Sequence, residues 1–392
     1  MNRNLWLLAA CQALFLVNNI TFIAVNGLVG LSLAPQPWLA TLPVAGYVVG
    51  AALSAPMVAR LQARYGRQRT FMAGLAVGAV SALACALAVR QGSFTMVVAA
   101  TLLAGFYSAN AALYRFAGPE LVEPGLAARA LSLVLAGGVV GAVVGPNLAA
   151  ATRSAMPVAF VGSYLALVAV ALLGMVLMAL IRFPAHVRPP PGRGDGRPMR
   201  EIARQPAFIV AVAAAALGYG GMNLLMAAAR IAMQQCGHEF DRAALVLEWH
   251  VLGMFVPSFF TGRLIERFGA LPVMFTGALL NLACIAVALS GVDVMQFLVA
   301  LALLGVGWNF LYVGGSTLLT TTYRPSEKTR AQGAMDTCVF ATMAFTSVGA
   351  GAVVTGPGWS WLNTAALVPV PLVLAALAWL ARHRATQRTA QA

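Results

Sequence analysis

Long apolar stretches separated by short polar ones make up almost the whole chain. A helix that crosses a bilayer needs about 20 consecutive apolar residues, and stretches of about that length recur from one end of the sequence to the other. They predict an all-α membrane protein with twelve spanning helices, six on each side of one longer polar break. The predicted spans are residues 5–30, 38–59, 70–89, 94–116, 128–150, 157–181, 207–233, 243–262, 270–290, 294–318, 331–354 and 360–381.

The polar break at residues 182–206 contains three consecutive prolines and six arginines, so its middle cannot form a regular helix. A short amphipathic helix on the membrane surface, from Met199 to Arg204, is one interpretation of its last part. We favour a flexible linker between two rigid halves. The expected parts are a first six-helix bundle at 1–181, a cytoplasmic linker at 182–206, and a second bundle with a short basic tail at 207–392.

Composition and charge support a membrane protein and argue against nucleic-acid binding. Apolar residues make up 60% of the chain and charged residues 9%, whereas soluble domains carry about 25% charged residues. The net charge is +14, but the basic residues lie in short loops between spans. Of the 25 Lys and Arg residues, 21 fall on one side of the predicted topology and three on the other. Because such an excess marks the cytoplasmic side, both termini are expected in the cytoplasm.

Several kinds of chemistry have no support in the sequence. The five cysteines form no C-x-x-C pair, so neither a metal site nor a disulfide framework is expected. No G-x-x-x-x-G-K-[ST] motif indicates ATP binding, and we expect no cofactor. A membrane enzyme would need clustered catalytic groups, but Glu248 and His250 are two residues apart and lie on different helix faces. A transporter-like sensor would need a soluble output domain, which we do not expect here.

A short basic loop occurs twice, 203 residues apart, as ARLQARYG from Ala59 and GRLIERFG from Gly262. It resembles the G-x-x-x-D-R-x-G-R-R loop between the second and third helices of major facilitator superfamily transporters. The first copy has alanine in place of the glycine and the acid, so we expect the second copy to matter more for transport. The loop positions that match are Arg64, Gly66 and Arg67 in the first copy, and Gly262, Glu266, Arg267 and Gly269 in the second.

The fifth span carries small residues at every fourth position, ending in Gly141, Gly145 and Pro146. This spacing lets two helices approach closely. It also resembles the G-x-x-x-G-P motif of the superfamily's antiporters. Helix packing and an antiporter signature are equally good interpretations, so the motif does not fix the direction of transport.

Polar side chains inside apolar spans cost free energy unless they face a neighbouring helix or a cavity. The resemblance implies that the first, fourth, seventh and tenth helices line a substrate cavity between the two bundles. Amides and aromatic rings suit a neutral or aromatic organic solute, and for each residue a hydrogen bond between helices is the alternative. A glycine cluster at residues 218–221 also suggests local unwinding of the seventh helix. The cavity candidates are Asn18, Asn19, Asn26, Asn110, Tyr114, Tyr219, Asn223, Trp308, Asn309 and Tyr312.

Ionisable groups within the outer part of the second half are candidates for coupling, because such groups are usually functional inside a membrane. Arg230 and Glu248 lie at comparable predicted depth and can pair, or Arg230 can bind an anionic group of the substrate, or both can reach the surface separately. Glu248 and His250 are the candidates for proton binding. A structural hydrogen bond from His250 to a backbone carbonyl is an equally good interpretation.

Two further charges are expected near the cytoplasmic surface. Arg115 lies late in the fourth span, and we expect it to extend to that surface and pair with Glu120 or Glu123. Asp336 opens the eleventh span close to Arg330, and we expect it to form a cytoplasmic salt bridge or to stabilise the start of the helix, where acids are favourable.

The resemblance covers nearly the whole chain and implies a monomeric secondary transporter in a bacterial inner membrane. Such a protein would lie in the lipid bilayer and move a small organic solute across it by alternating access. We expect this transport to be coupled to protons, and we do not expect an enzyme. A drug-type efflux antiporter and an importer of a vitamin or metabolite, for example a flavin, both remain open from the sequence.

Overall fold

The predicted spans are helical in the computed structural model of the chain, which describes residues 2–36, 39–40, 42–184, 196–355 and 358–389. The helices up to the linker are α1 Arg3–Leu33, α2 Leu42–Tyr65, α3 Arg67–Arg90, α4 Phe94–Ala111, α5 Tyr114–Ala117, α6 Ala127–Ala136, α7 Gly138–Thr152 and α8 Val161–Ala179. Those that follow are α9 Met199–Ala203, α10 Pro206–Gln235, α11 Phe240–Phe255, α12 Ser258–Phe268, α13 Ala270–Ser290, α14 Val294–Thr320, α15 Lys328–Thr355, α16 Trp359–Ala366 and α17 Pro369–Thr389.

Within the described residues, eleven segments are long and apolar enough to cross a membrane, and α15, at 28 residues, forms the eleventh predicted span. The chain divides into two units, one of residues 1–188 with 332–340 and one of residues 189–331 with 341–392. In the first unit α1 packs against α7 and α8, and α3 packs against α4 and α8. In the second unit α14 is the central helix and packs against α10, α11 and α13.

The two copies of the basic loop share one backbone conformation. Gly66, between α2 and α3, has φ 81° and ψ 175°. Gly269, between α12 and α13, has φ 87° and ψ 163°. Glycine adopts a positive φ without steric cost, so one residue ends a helix and the next residue begins another. The sequence repeat therefore has a structural counterpart in both units.

Several predicted spans consist of two helices with a short break. The eighth span breaks at Pro257, between α11 and α12, and the second part of the twelfth span begins at Pro369. Proline has no N–H to donate to the preceding turn, so it begins a helix more readily than it continues one. The fifth span breaks at Gly137 and continues through Pro146 within α7.

The suggested unwinding of the seventh span is wrong, because α10 is continuous from Pro206 to Gln235. Its glycines serve close packing instead. A Cβ added to Gly218 would lie 3.0 Å from Cδ1 of Leu311, and a Cβ on Gly220 would overlap the side chain of Thr342.

The glycines of the fifth span bring α7 close to α1. A Cβ on Gly141 would lie 2.6 Å from Cβ of Leu16, and one on Gly145 would lie 2.9 Å from Cβ of Ile20. The hydroxyl of Thr21 donates a 2.9 Å hydrogen bond to the carbonyl of Gly145. Helix packing therefore accounts for these two glycines.

The last part of the linker is bonded to Glu327 in the second unit. The guanidinium of Arg197 donates to the Glu327 carboxylate at 2.8 and 3.1 Å, and the backbone N–H of Arg197 donates to it at 2.7 Å. The Glu327 side chain is fully buried by these contacts. The short helix considered from Met199 onwards is present as α9.

We predict that Gly141→Ala destabilises the first unit, because its new methyl group overlaps the side chain and backbone of Leu16. Overpacking of this kind costs about 1–3 kcal/mol. Gly27→Ala is the matched control, since a Cβ at this position on α1 has nothing within 4 Å. Thermal unfolding in detergent, followed by tryptophan fluorescence, should show a lower midpoint for Gly141→Ala alone. Equal midpoints would contradict the packing described here.

The linker contact also predicts a pH dependence. The hydrogen bond from the Arg197 side chain, helped by backbone N–H groups, lowers the pKa of Glu327 from 4.5 to about 2. A carboxyl whose pKa falls on folding stabilises the fold above its unfolded pKa, and this stabilisation disappears as the pH falls through the folded value. Glu327→Gln should therefore unfold at a lower temperature than wild type at neutral pH.

The difference between wild type and Glu327→Gln should shrink as the pH is lowered from about 4.5 towards 2, the window between the two pKa values. Glu201→Gln is the control, because Glu201 is exposed and lies 3.8 Å from the same arginine. It should change the unfolding temperature little at any pH. A pH-independent difference for Glu327→Gln would mean that the carboxylate charge is not what stabilises the linker.

Candidate functional site

An aromatic cluster forms in the second unit, on α10 and α14. Trp308 and Tyr312 are four residues apart on α14, so their side chains share one helix face. Their rings stack with centroids 4.9 Å apart and planes 18° from parallel. Tyr219 of α10 presents its ring edgewise to both, at 5.2 and 5.3 Å. These three rings form the aromatic cluster, and Phe255 at the end of α11 lies beside it, 5.8 Å from Trp308.

The members of the aromatic cluster differ in exposure. Trp308 is 2% exposed and Tyr312 is 6% exposed, whereas Tyr219 is half-buried. Nε1 of Trp308 has no hydrogen-bond partner among the described residues. The cluster therefore offers one accessible ring, two rings behind it and a buried N–H donor. Such a surface binds a flat aromatic molecule by stacking or edge contacts.

Asn309 and Asn223, the two predicted amides in the second unit, have structural roles. Asn309 donates to the carbonyl of Met254 and the hydroxyl of Ser258, both at 2.6 Å. It accepts a 2.7 Å hydrogen bond from Thr261 and is fully buried. Asn223 donates to three oxygen atoms of α15, namely the hydroxyls of Thr346 and Ser347 and the carbonyl of Met343. These contacts tie α14 to the break in the eighth span, and α10 to α15.

Two of the predicted amides in the first unit also form bonds between or within helices. Asn18 donates to the carbonyl of Leu167 on α8 at 3.2 Å. Asn26 is fully buried and accepts a 2.8 Å hydrogen bond from the hydroxyl of Tyr164. Asn19 is half-buried and remains a candidate for contact with a solute.

The fourth span places several buried polar groups together on the side of α4 that faces α3. Among the described residues, neither amide atom of Asn110 has a hydrogen-bond partner, and the hydroxyls of Tyr114 and Tyr107 have none either. The Oε1 atom of Gln12 on α1 is also buried without a partner. Sequence reasoning missed Tyr107 and Gln12. The signal for Tyr107 was its position three residues before Asn110, which is one helical turn.

A small apolar crevice opens within the second unit, beside α10, α13, α14 and α17. Its one polar lining residue is Asn281, and none of the three clustered aromatic residues reaches it. No group of three His, Cys, Asp or Glu side chains in the described ranges could hold a metal ion.

Arg115 forms a buried ion pair with Asp336, so the expectation that Arg115 reaches the surface and pairs with Glu120 or Glu123 is wrong. Asp336 does form a salt bridge, but with Arg115 and not at the start of its helix. The guanidinium Nη2 bonds to Oδ1 of Asp336, and Nη1 bonds to the carbonyl of Ala112. The side chains of Arg115 and Asp336 are 1% and 2% exposed, and both residues belong to the first unit. Because α15 begins at Lys328, Asp336 lies two helical turns inside it, about 12 Å from its start. A pair 221 residues apart in sequence has no local signal.

The first basic loop makes its contacts through Arg67, which is 7% exposed. Its Nη2 bonds to Glu120 at 2.7 Å and to Gln332 at 2.6 Å, and its Nη1 bonds to Gln62. Glu120, which we had expected to pair with Arg115, is therefore bonded to Arg67.

Arg64 and Arg267, the arginines that occupy the same position in the two copies, are exposed and each lies over a neighbouring aromatic ring at 5.2 Å. In the second copy Glu266 is exposed, as is Arg267. The larger importance of the second copy for transport stays a prediction, but the buried contacts favour the first copy.

The candidates for coupling in the second unit are separated. Glu248 is exposed, whereas His250 is fully buried, and its Nδ1 lies 2.7 Å from the carbonyl of Leu301. This contact favours a structural hydrogen bond for His250. The side chain of Arg230 lies outside the described part of the structure, so its pairing with Glu248 stays a prediction.

Comparison with known proteins identifies the family of the chain. A sequence profile described as Major Facilitator Superfamily matches residues 5–247 and 211–392, which together cover almost the whole chain. The chain belongs to the major facilitator superfamily. Its members are membrane transporters and not enzymes, and the fold has twelve helices.

Similar proteins within the superfamily differ in how much is known of them. The riboflavin transporter RfnT of Brucella anthropi is 40% identical over 379 residues, which covers 95% of both chains. The uncharacterised transporter YdeG of Bacillus subtilis is 26% identical and covers 91% of this chain and 87% of its own. Among solved structures, the superfamily transporter FucP in its outward conformation has a TM-score of 0.79 at 17% identity, over 97% of this chain and 98% of its own.

For this superfamily member we predict that Arg67→Ala lowers the stability of the fold more than Arg64→Ala or Arg267→Ala does. Removing the Arg67 side chain breaks its ion pair with the Glu120 carboxylate, which is 18% exposed, and breaking a largely buried pair costs about 3 kcal/mol. The two exposed arginines should each cost at most about 0.5 kcal/mol. Thermal unfolding in detergent measures the difference. Adding Glu120→Gln should recover part of the stability lost in Arg67→Ala, and equal effects of all three single variants would contradict the assignment.

Proposed function

We propose that this protein is a secondary active transporter that imports a neutral, flat heteroaromatic solute of the flavin class, coupled to protons. The observation that carries the proposal is the aromatic cluster of Tyr219, Trp308 and Tyr312. The stacked pair Trp308 and Tyr312 fixes the cluster on α14, and the half-buried ring of Tyr219 is its accessible member. An aromatic surface of this kind stabilises a planar ring system through its area and its π geometry.

The neutrality of the cluster supports a solute without a strong charge. The described ion pairs bury Arg67 with Glu120 and Arg115 with Asp336, so these charges already have protein partners. The N–H of Trp308 can donate a hydrogen bond to a carbonyl oxygen of a heteroaromatic ring. The likeness to a riboflavin transporter, at 40% identity over 95% of both chains, supports a flavin as the particular solute, since flavins combine a flat ring system with carbonyl groups.

Import is favoured over drug-type efflux because packing against α1 explains the residues that resembled an antiporter motif. Gly141 and Gly145 are both positions where a side chain would overlap α1. They therefore need no separate role in the direction of transport. We further propose a monomer in the inner membrane of a bacterium, with both termini and the linker in the cytoplasm, as the distribution of arginines supports.

The proposal predicts that expression of this protein restores growth of a riboflavin-requiring bacterium that lacks its own importer, at low external riboflavin. Labelled riboflavin should enter these cells, and a protonophore should reduce its accumulation. Tyr219→Ala should raise the riboflavin concentration for half-maximal uptake roughly tenfold, because the loss of one aromatic contact costs about 0.5–1.5 kcal/mol beyond its buried area.

Trp249→Ala is the matched control, since Trp249 lies on α11 and is 50% exposed. It should leave uptake unchanged at equal expression. Efflux of labelled riboflavin from preloaded cells without uptake would favour an exporter. If neither direction responds to the protein, the solute belongs to a different class, and competition of uptake by other planar heteroaromatics would then identify it.

A further inference from the structure

Asp336 is a buried acid that the proposed function does not yet use. Among the acidic side chains that the structure describes within the spanning helices, Asp336 is buried, whereas Glu248 and Glu266 are exposed. Its Oδ1 is bonded to Arg115, and its Oδ2 is buried without a hydrogen-bond partner among the described residues. A carboxylate that is removed from water and only half bonded is costly.

The surroundings of Asp336 leave Arg115 as its direct partner. The other groups that act on it electrostatically are Arg67, at the start of α3, and the thiol of Cys338 on α15 itself. Arg67 is bonded to Glu120 and Gln332. The charge on Asp336 therefore depends mainly on one contact, the bond to Arg115.

Arg115 has contacts that persist when this bond is broken. Its Nη1 bonds to the carbonyl of Ala112, and its guanidinium carbon lies 4.2 Å from the centre of the Phe116 ring. A cation is stabilised by the face of an aromatic ring. Separation of the pair thus leaves the arginine with two favourable contacts, while the carboxylate, in the same buried place, can become neutral by taking up a proton.

We propose that Asp336 is the residue that carries the coupled proton, and that proton binding to Oδ2 and the bond to Arg115 exclude each other. This inference rests on the proposed proton-coupled import and replaces Glu248 and His250 as the proton carrier. One proton binds Asp336 as the ion pair opens, and the same proton leaves as the pair forms again. Because the pair joins α5 to α15, its opening changes how residues 332–340 are held.

The test uses the purified full-length protein in proteoliposomes with labelled riboflavin. Two processes are compared, exchange of riboflavin at equal concentrations on both sides, and accumulation driven by an imposed pH gradient. A gradient of one pH unit can support up to about tenfold accumulation per coupled proton, since one pH unit is worth about 1.36 kcal/mol. Wild type should show both processes and should move protons with riboflavin.

Asp336→Asn should keep exchange within about threefold of wild type, because the neutral amide stands in for the protonated acid, and should lose accumulation. Glu248→Gln, the matched control in an exposed position, should keep both. If Asp336→Asn fails to fold, the double variant with Arg115→Gln removes both charges, which is often tolerated, and should behave in the same way.

Accumulation by Asp336→Asn equal to that of wild type would overturn the proposal, as would net riboflavin uptake by wild type without any proton movement. Equal loss of exchange and accumulation in folded single and double variants would show a structural pair and would also overturn it. Absence of exchange in wild type would instead refute riboflavin as the solute. Protonation of Asp336 can then still be tested without any solute. The carboxylic acid band that appears on acidification in infrared difference spectra should be smaller in Asp336→Asn than in wild type.

Discussion

Hydrocarbon offers no partner for a polar group, and this constraint governs the structure. A backbone that crosses the bilayer must bond its own N–H and C=O groups, so the spans are helices. Two breaks in the spans, at Pro257 and Gly137, occur where proline or glycine alters the local backbone. Some side-chain amides in the spans are bonded as well: Asn309 makes three hydrogen bonds and is fully buried. Much of the polar content of the helices is thus used to join helices.

The same constraint gives buried charges their importance. An ion pair inside a protein gains attraction but loses hydration, and removing one partner leaves an uncompensated charge. The first unit holds two such pairs, Arg67 with Glu120 and Arg115 with Asp336. The second unit also contains a buried acid in an ion pair, because Glu327 binds Arg197 of the linker. Buried acids are therefore bonded, and a change in their protonation changes the contacts between helices.

Glycine has two separate functions in this protein. At Gly66 and Gly269 it provides a positive φ, so that consecutive helices are joined without a long loop. At Gly141 and Gly145 it is a surface without a side chain, which brings α7 against α1. The aromatic cluster also depends on close helix packing, because Tyr219 follows Gly218, the residue at which α10 contacts Leu311 of α14. Close helix packing thus positions the residues that the proposed function uses.

The sequence by itself determined the spans, the superfamily and the two loops, because membrane helices follow from apolar length and the loops from local spacing. It also named Tyr219, Trp308 and Tyr312 among ten cavity candidates, because polar groups within spans tend to face a cavity or a neighbouring helix. Only the structure showed that these three rings lie together. Only the tertiary structure decided which polar residues are already bonded, as Asn309 is, and which buried groups have no partner, as with Asn110. It also paired Arg115 with Asp336 and Arg67 with Glu120. Contacts between residues far apart in sequence depend on how the helices pack, which no local pattern of apolar and polar positions records.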